Sequence, residues 1–163
     1  MSADNQQERL DAKWIVGFVD GEGCFHISIN KLDKMSLGWQ VLPEFRVVQN
    51  QFDEIVLYKI QKYFGFGKVT VNRKDNHGIR KEFRVRGLEN LNRLVIFFQK
   101  YPLQTKTKIQ SFEIFSKVIE MMNHKEHVTQ EGLDKIAIMV SNMNQKPRLK
   151  YLESSETIRQ TPR

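Results

Sequence analysis

Apolar residues recur with two different periods along this chain, and the switches between them mark out its elements. Between Gln7 and Asp20, Leu10, Trp14, Ile15, Phe18 and Val19 keep the spacing of one helix face, and Gly21 and Gly23 are expected to stop the helix. From Cys24 to Asn30 the period becomes two, with Phe25, Ile27 and Ile29 on one side and Cys24, His26, Ser28 and Asn30 on the other. Trp39 to Val48 alternates in the same way. Trp39, Val41, Phe45 and Val47 share a face opposite Gln40, Glu44 and Arg46, and Leu42 and Val48 break the rule. The intervening KLDKMSLG reads as a hairpin loop.

The pattern then repeats. FDEIVLYKIQKYFG predicts a short helix through Ile55, Val56, Tyr58, Lys59, Ile60 and Tyr63, closed by Gly65. Lys68 to Arg73 and Arg80 to Arg86 alternate around the turn KDNHG. Val69, Val71, Phe83 and Val85 are expected in the core, with Lys68, Thr70, Asn72, Glu82, Arg84 and Arg86 facing outward. LENLNRLVIFFQKY, ended by Pro102, IQSFEIFSKVIEMMNHKEH, and TQEGLDKIAIMVSNMN with Thr129 as N-cap give three more helices. The fold class is therefore α+β, in the order αββαββα with two further helices. Its four-stranded antiparallel sheet carries helices on the apolar face and leaves a polar, basic face uncovered. One domain over residues 1–146 and a polar tail over residues 147–163 are expected.

Composition narrows the partner. Lys and Arg number 26 against 19 Asp and Glu, a formal charge of +7, and the pI is near 9.5. That balance favours a polyanion. The single cysteine, Cys24, excludes an internal disulfide framework. No apolar run approaches the ~20 residues of a membrane span, and the N-terminus resembles neither a signal nor a transit peptide. A soluble protein of a reducing compartment is expected. His124 and His127, spaced H-x-x-H among Lys125 and Glu126, lack a third ligand and read as a solvated helix end. Met121, Met122, Met139 and Met143 read as core filler.

The candidate chemistry lies in WIVGFVDGEGCF, Trp14 to Phe25. Glu22 stands between two glycines where an apolar helix meets an apolar strand. A lone acid there is either a turn residue or an oxygen ligand that its small neighbours leave accessible. Hard divalent cations take carboxylates and phosphate oxygens, and metal-assisted phosphodiester hydrolysis needs such a site beside the scissile phosphate. One carboxylate is too few. Gly17 and Gly21 lie on one side of the helix with Trp14 and Phe18, so a symmetric copy packed there would bring two Glu22 side chains together.

This segment resembles the signature of the LAGLIDADG homing endonucleases in its helix, paired glycines and closing acid. The element order, YPLQTK before the fourth helix, and the C-terminal helices are also similar, from about Ala12 to Pro147. The resemblance implies a metal-binding Glu22 with the Gly21 carbonyl nearby, and Asp20 as a helix cap. It implies Gln49 at a position that holds metal-associated water, and a basic residue before the fourth helix that stabilises charge on the phosphate. Counting back from the helix gives Lys108, the preferred candidate; counting forward from YPL gives Lys106. It further implies a homodimer through Trp14, Gly17, Phe18 and Gly21, cutting a long near-palindromic DNA site to leave 3′ overhangs. The cofactor implied is Mg²⁺ or another divalent cation such as Mn²⁺, with Ca²⁺ binding without supporting cleavage. An organellar intron is the implied source. Candidate base readers are His26, Ser28, Asn30, Gln40, Glu44, Arg46, Lys68, Thr70, Asn72, Glu82, Arg84 and Arg86, with Arg46, Arg84 and Arg86 suited to guanine. The C-terminal helices also resemble half of a two-motif enzyme. Alternative readings are an intron RNA maturase and a non-cleaving DNA-binding protein. Lys146, Arg148 and Lys150 are further phosphate candidates.

Overall fold

A computed structural model describes residues 9–143 and 151–152. Helix α1 spans Ala12–Glu22, followed by strands β1 (Gly23–Lys31) and β2 (Trp39–Asn50), helix α2 (Glu54–Phe64), and strands β3 (Lys68–Asp75) and β4 (Gly78–Val85). Helices α3 (Leu88–Lys100), α4 (Lys106–Asn123) and α5 (Gln130–Met143) complete it. The strands form one antiparallel sheet in the order β1-β2-β4-β3. Tyr151, expected in a polar tail, is instead buried; Lys146, Arg148 and Lys150 lie outside the described residues.

The chain divides into two compact units. Among the described residues, the first combines residues 9–26 with Glu44–Ile109, and the second combines Ile27–Pro43 with residues 110–143 and 151–152. In the first, aromatic rings from sheet and helices form the core. Phe98 of α3 meets Phe25 edge-on at 5.4 Å and Phe45 at 5.9 Å. Phe64 of α2 stacks on Phe83 at 6.2 Å and meets Phe97 edge-on at 4.9 Å. Such offset and edge-on contacts are the favoured aromatic geometries.

Two expectations fail here. Val71, assigned to the core, is 54% exposed. It lies on the edge strand opposite Lys81, which pairs with Glu54 at 3.4 Å, so this end of the apolar face is polar. In α2 the buried stripe is Leu57, Ile60 and Phe64, while Ile55 and Tyr58 are exposed.

In the second unit, Phe115, Val118, Ile119 and Met121 of α4 and Leu133, Ile136, Ala137 and Val140 of α5 are buried. Met122, Met139 and Met143 are only half-buried. Thr129 caps α5 as expected, its Oγ1 accepting from the Gly132 amide at 3.1 Å. A Cβ on Gly132 would lie 1.9 Å from the Glu126 carbonyl oxygen, so only glycine permits this tight entry. Tyr151 packs edge-on against Trp39 at 5.2 Å and shares hydrogen bonds with Gln130 and Asp134.

Candidate active site and nucleic-acid interface

Helix α1 starts later than its apolar spacing predicts, at Ala12 behind the Asp11 cap, and continues through Gly21 and Glu22. Gly23, whose amide bonds to the Val19 carbonyl, ends it. The two glycines flanking Glu22 therefore do different things. A Cβ at Gly23 would lie 2.5 Å from Val19 Cγ1 and 2.8 Å from its carbonyl oxygen, so the chain can turn directly from helix into strand only without one. At Gly17 and Gly21 a Cβ would meet nothing within 4 Å. Nothing among the described residues requires glycine at those two positions. Beside them Trp14, 44% exposed, stacks on Phe18 at 4.9 Å.

Asp20 caps a helix, but not its own. Its carboxylate accepts from the amides of Gln104 at 3.0 Å and Thr105 at 3.0 Å, and from the Thr105 hydroxyl at 3.0 Å. These groups form the entry to α4, which begins at Lys106, three residues earlier than its apolar pattern suggests. Burial alone would raise the Asp20 pKa. The bonds from Thr105 and Gln104, aided by nearby Lys108, outweigh it and hold the carboxyl below the usual aspartate range.

That depression makes stability pH-dependent. A lowered folded-state pKa contributes stability above the ordinary aspartate value, lost as pH falls through the folded value. Thermal melts of Asp20→Asn are therefore expected to show a flatter acid limb than wild type, and Asp20→Ala to lose about 0.5–2 kcal/mol at neutral pH, as for other N-caps. Equal acid limbs in wild type and Asp20→Asn would contradict the assignment.

Lys106 and Lys108 thus stand in the first turn of α4 rather than before it. Lys108 Nζ donates to the Gly23 carbonyl, next to Glu22, while Lys106 is exposed. Both ends of this junction oppose their helix dipoles. Asp20 and Glu22 occupy the electronegative C-terminus of α1, and two lysines occupy the electropositive N-terminus of α4. Glu22 and the two lysines are wrong-signed for the helix ends they occupy, a local cost that Asp20, capping α4, offsets in part. Gln49, half-buried, lies opposite Lys81 near the end of β2. Among the described residues no hydrogen bond or ion pair joins it to Glu22.

The junction's donor set suits a hard cation. Glu22 is an exposed carboxylate, the last carbonyls of a helix lack intrahelical partners, and Gly21 leaves the approach open. Yet no three His, Cys, Asp or Glu side chains cluster as metal ligands among the described residues. Among the described residues Glu22 is thus one protein carboxylate, fewer ligands than such an ion takes. His124 is exposed, whereas His127, expected at a solvated helix end, is half-buried with Nδ1 unpartnered among the described residues; burial lowers its pKa.

The sheet register lays out the polar face of the first unit. Arg46 of β2 lies opposite Arg84 of β4, and Arg84 opposite Lys68 of β3. In the next row Val48, Glu82 and Thr70 stand side by side. Beyond it a bulge between Val71 and Arg73 inserts Asn72, so Arg73 comes opposite Arg80. Strict alternation therefore misses Arg73, since a bulge leaves no mark in a period-two pattern, whereas Arg80 keeps the parity of Glu82, Arg84 and Arg86. Lys68, Thr70, Asn72 and Arg86 are exposed, and Arg46 and Arg84 half-buried. Glu44 and Glu82, placed among the outward readers, are instead 5% and 3% exposed beneath their arginines. His26 is half-buried, and burial and then Arg46 lower its pKa. In the second unit, Ser28 and Gln40 are half-buried and Asn30 is exposed, its amide donating to Ser28 Oγ at 3.0 Å.

A family model described as LAGLIDADG endonuclease matches residues 15–119. A probable intron-encoded endonuclease 3 of Neurospora crassa is 33% identical over 128 residues, covering 78% of this chain and 24% of that protein. The chain thus spans about a quarter of that curated relative. The crystal structure of a homing endonuclease, I-TnaI, is 43% identical with a TM-score of 0.82, covering 92% of this chain and 99% of that one. I-SmaMI bound to an uncleaved DNA target with calcium ions is 32% identical with a TM-score of 0.82, covering 95% of this chain and 52% of that one.

Proposed function

We propose a site-specific double-strand DNA endonuclease, and the premise is membership: the chain belongs to the LAGLIDADG endonuclease family. The observation that carries the reading is the junction of α1 with α4. Asp20 fastens the two helices, leaving Glu22 exposed and Lys108 on the adjacent Gly23 carbonyl. Glu22, with the Gly21 carbonyl, would hold a divalent cation, Mg²⁺ in the simplest case. Such an ion supplies charge neutralisation at the scissile phosphate and a nucleophile at neutral pH. Lys108 or Lys106 would offset charge developing on phosphate oxygens, and Gln49 would orient water. Leaving a 3′ hydroxyl and cohesive 3′ overhangs is the outcome proposed.

A single chain supplies one such acid, and its open Gly17 and Gly21 side supports a homodimer through α1. The half-length cover of the I-SmaMI chain supports two copies serving as one such enzyme. A near-palindromic target follows from that symmetry. Positioning on the duplex would fall to Lys68 and Arg73, with Arg46, Arg84 and Arg86 suited to guanine edges and His26, Ser28, Asn30, Gln40, Thr70 and Asn72 to other bases. Relatives named as intron-encoded support an organellar intron as source. No helix among the described residues is long and apolar enough to cross a membrane.

The test is selection of cut duplexes from a randomised library with Mg²⁺. Enrichment of a near-palindromic sequence is expected. Sites bound tightly but never cut would refute the nuclease reading in favour of a DNA-binding protein.

A further inference from the structure

Buried carboxylates on a face meant for a polyanion are a physical oddity, because they repel the ligand and cost desolvation unless paired. Glu44 Oε2 accepts from Arg86 Nε at 2.7 Å, and Oε1 lies 3.6 Å from an Arg46 guanidinium nitrogen. Glu82 repeats the arrangement one row beyond the basic row. Its Oε2 accepts from Asn72 at 2.7 Å, and its Oε1 lies 3.4 Å from an Arg84 nitrogen. The basic row Arg46, Arg84 and Lys68 crosses three neighbouring strands, where like charges directly opposite repel. The two acids bracket that row diagonally. They sit beneath the cations while the arginine side chains remain 30–46% exposed.

From this we infer that Glu44 is a specificity-determining positioning residue, which aims the Arg86 and Arg46 guanidinium groups at base edges and withholds them from phosphates. The inference rests on the DNA reading above and replaces the view of Glu44 as a base reader. An arginine on a long flexible stem reaches the phosphate backbone wherever its charge is free, and phosphate contacts carry no sequence information. A guanidinium held at Nε by a buried carboxylate keeps its outer edge for a planar acceptor pair such as guanine O6 and N7. Holding it so lowers binding to arbitrary DNA and raises discrimination.

The signature is affinity and specificity moving in opposite directions. Wild type, Glu44→Gln, Arg86→Gln and the double variant are assayed in Ca²⁺ on duplexes enriched from a randomised library by wild type. Glu44→Gln is expected to bind scrambled duplex several-fold more tightly, with a salt slope steeper by about 1 for each arginine freed. Discrimination at the base pairs that Arg86→Gln also relaxes is expected to fall about tenfold, the scale of one specific base contact. In the Arg86→Gln background the Glu44 substitution should add little at the base pairs that Arg86→Gln relaxes, since its effect there passes through that side chain. Glu44→Asp should restore part of the discrimination.

Weaker binding to every duplex with an unchanged salt slope would overturn the inference in favour of direct base contact or a structural role. Additive effects in the double variant at the base pairs that Arg86→Gln relaxes would overturn it too. Melting of each variant identifies one that loses its fold, and Glu82→Gln, tested at the bases that Arg84→Gln relaxes, then decides the same question. A wild type that enriches no sequence would defeat the DNA reading itself, and this inference with it.

Discussion

Glu22→Gln is expected to abolish cleavage while leaving the protein as stable as wild type or more so. The side chain is exposed, so the amide enters no packed space. It ends α1, whose last turn carries no basic residue to balance it. Removing a negative charge from the electronegative end of a helix relieves about 0.3–1 kcal/mol of unfavourable dipole interaction. In the proposed role of cation ligand, its loss would remove several kcal/mol of charge stabilisation, and each 1.36 kcal/mol is tenfold in rate. A decrease of roughly a thousandfold or more follows. The measurement pairs single-turnover cleavage with a thermal melt and with binding to the uncut duplex, which should persist. If cleavage survived within about tenfold, Glu22 would be a turn residue after all.

Gly17→Leu is expected to leave the isolated fold intact and to abolish its association. Glycine inside a helix costs about 0.5–1 kcal/mol relative to alanine, so Gly17 and Gly21, which have no crowding neighbour, are unexplained by the described residues of the single chain. A second copy approaching along that face explains both, with Trp14 and Phe18 as the aromatic pair that interfaces favour. A leucine there would hold two α1 helices apart and remove at least about 2 kcal/mol of association, roughly a thirtyfold rise in dimer dissociation constant. Sedimentation should show a monomer with unchanged circular dichroism, and cleavage should fall accordingly. Wild type that sediments as a monomer with and without DNA would rule out the twofold site.

Much of the architecture is legible in the apolar pattern. Phe25, Ile27 and Ile29 are buried and His26, Ser28 and Asn30 are not, as period-two alternation requires. Thr129 caps α5 because capping is a contact between residues three apart. Three of the misses share one cause, namely contacts between residues far apart in sequence. The start of α4 is set by Asp20, 85 residues away from Thr105, so the helix's own residues could not announce it. Val71 has the residue type of a core strand but lies on an edge opposite a paired lysine. Glu44 and Arg86 are 42 residues apart, and only the pairing of β2 with β4 brings one over the other.

The sequence by itself determined the order of elements, the basic character of the sheet's polar face and the acid at the end of the first helix. Each of these is a property of period or composition, which local sterics and hydrophobic burial translate directly. Tertiary structure alone decided what the two glycines around Glu22 do. Gly23 is required by the approach of Val19, while Gly21 is left open. It also decided that Asp20 and Lys108 tie α4 to the motif, and that two acids on the polar face hold arginines. Those are distances across the fold. Residue spacing cannot encode them until the strands have paired.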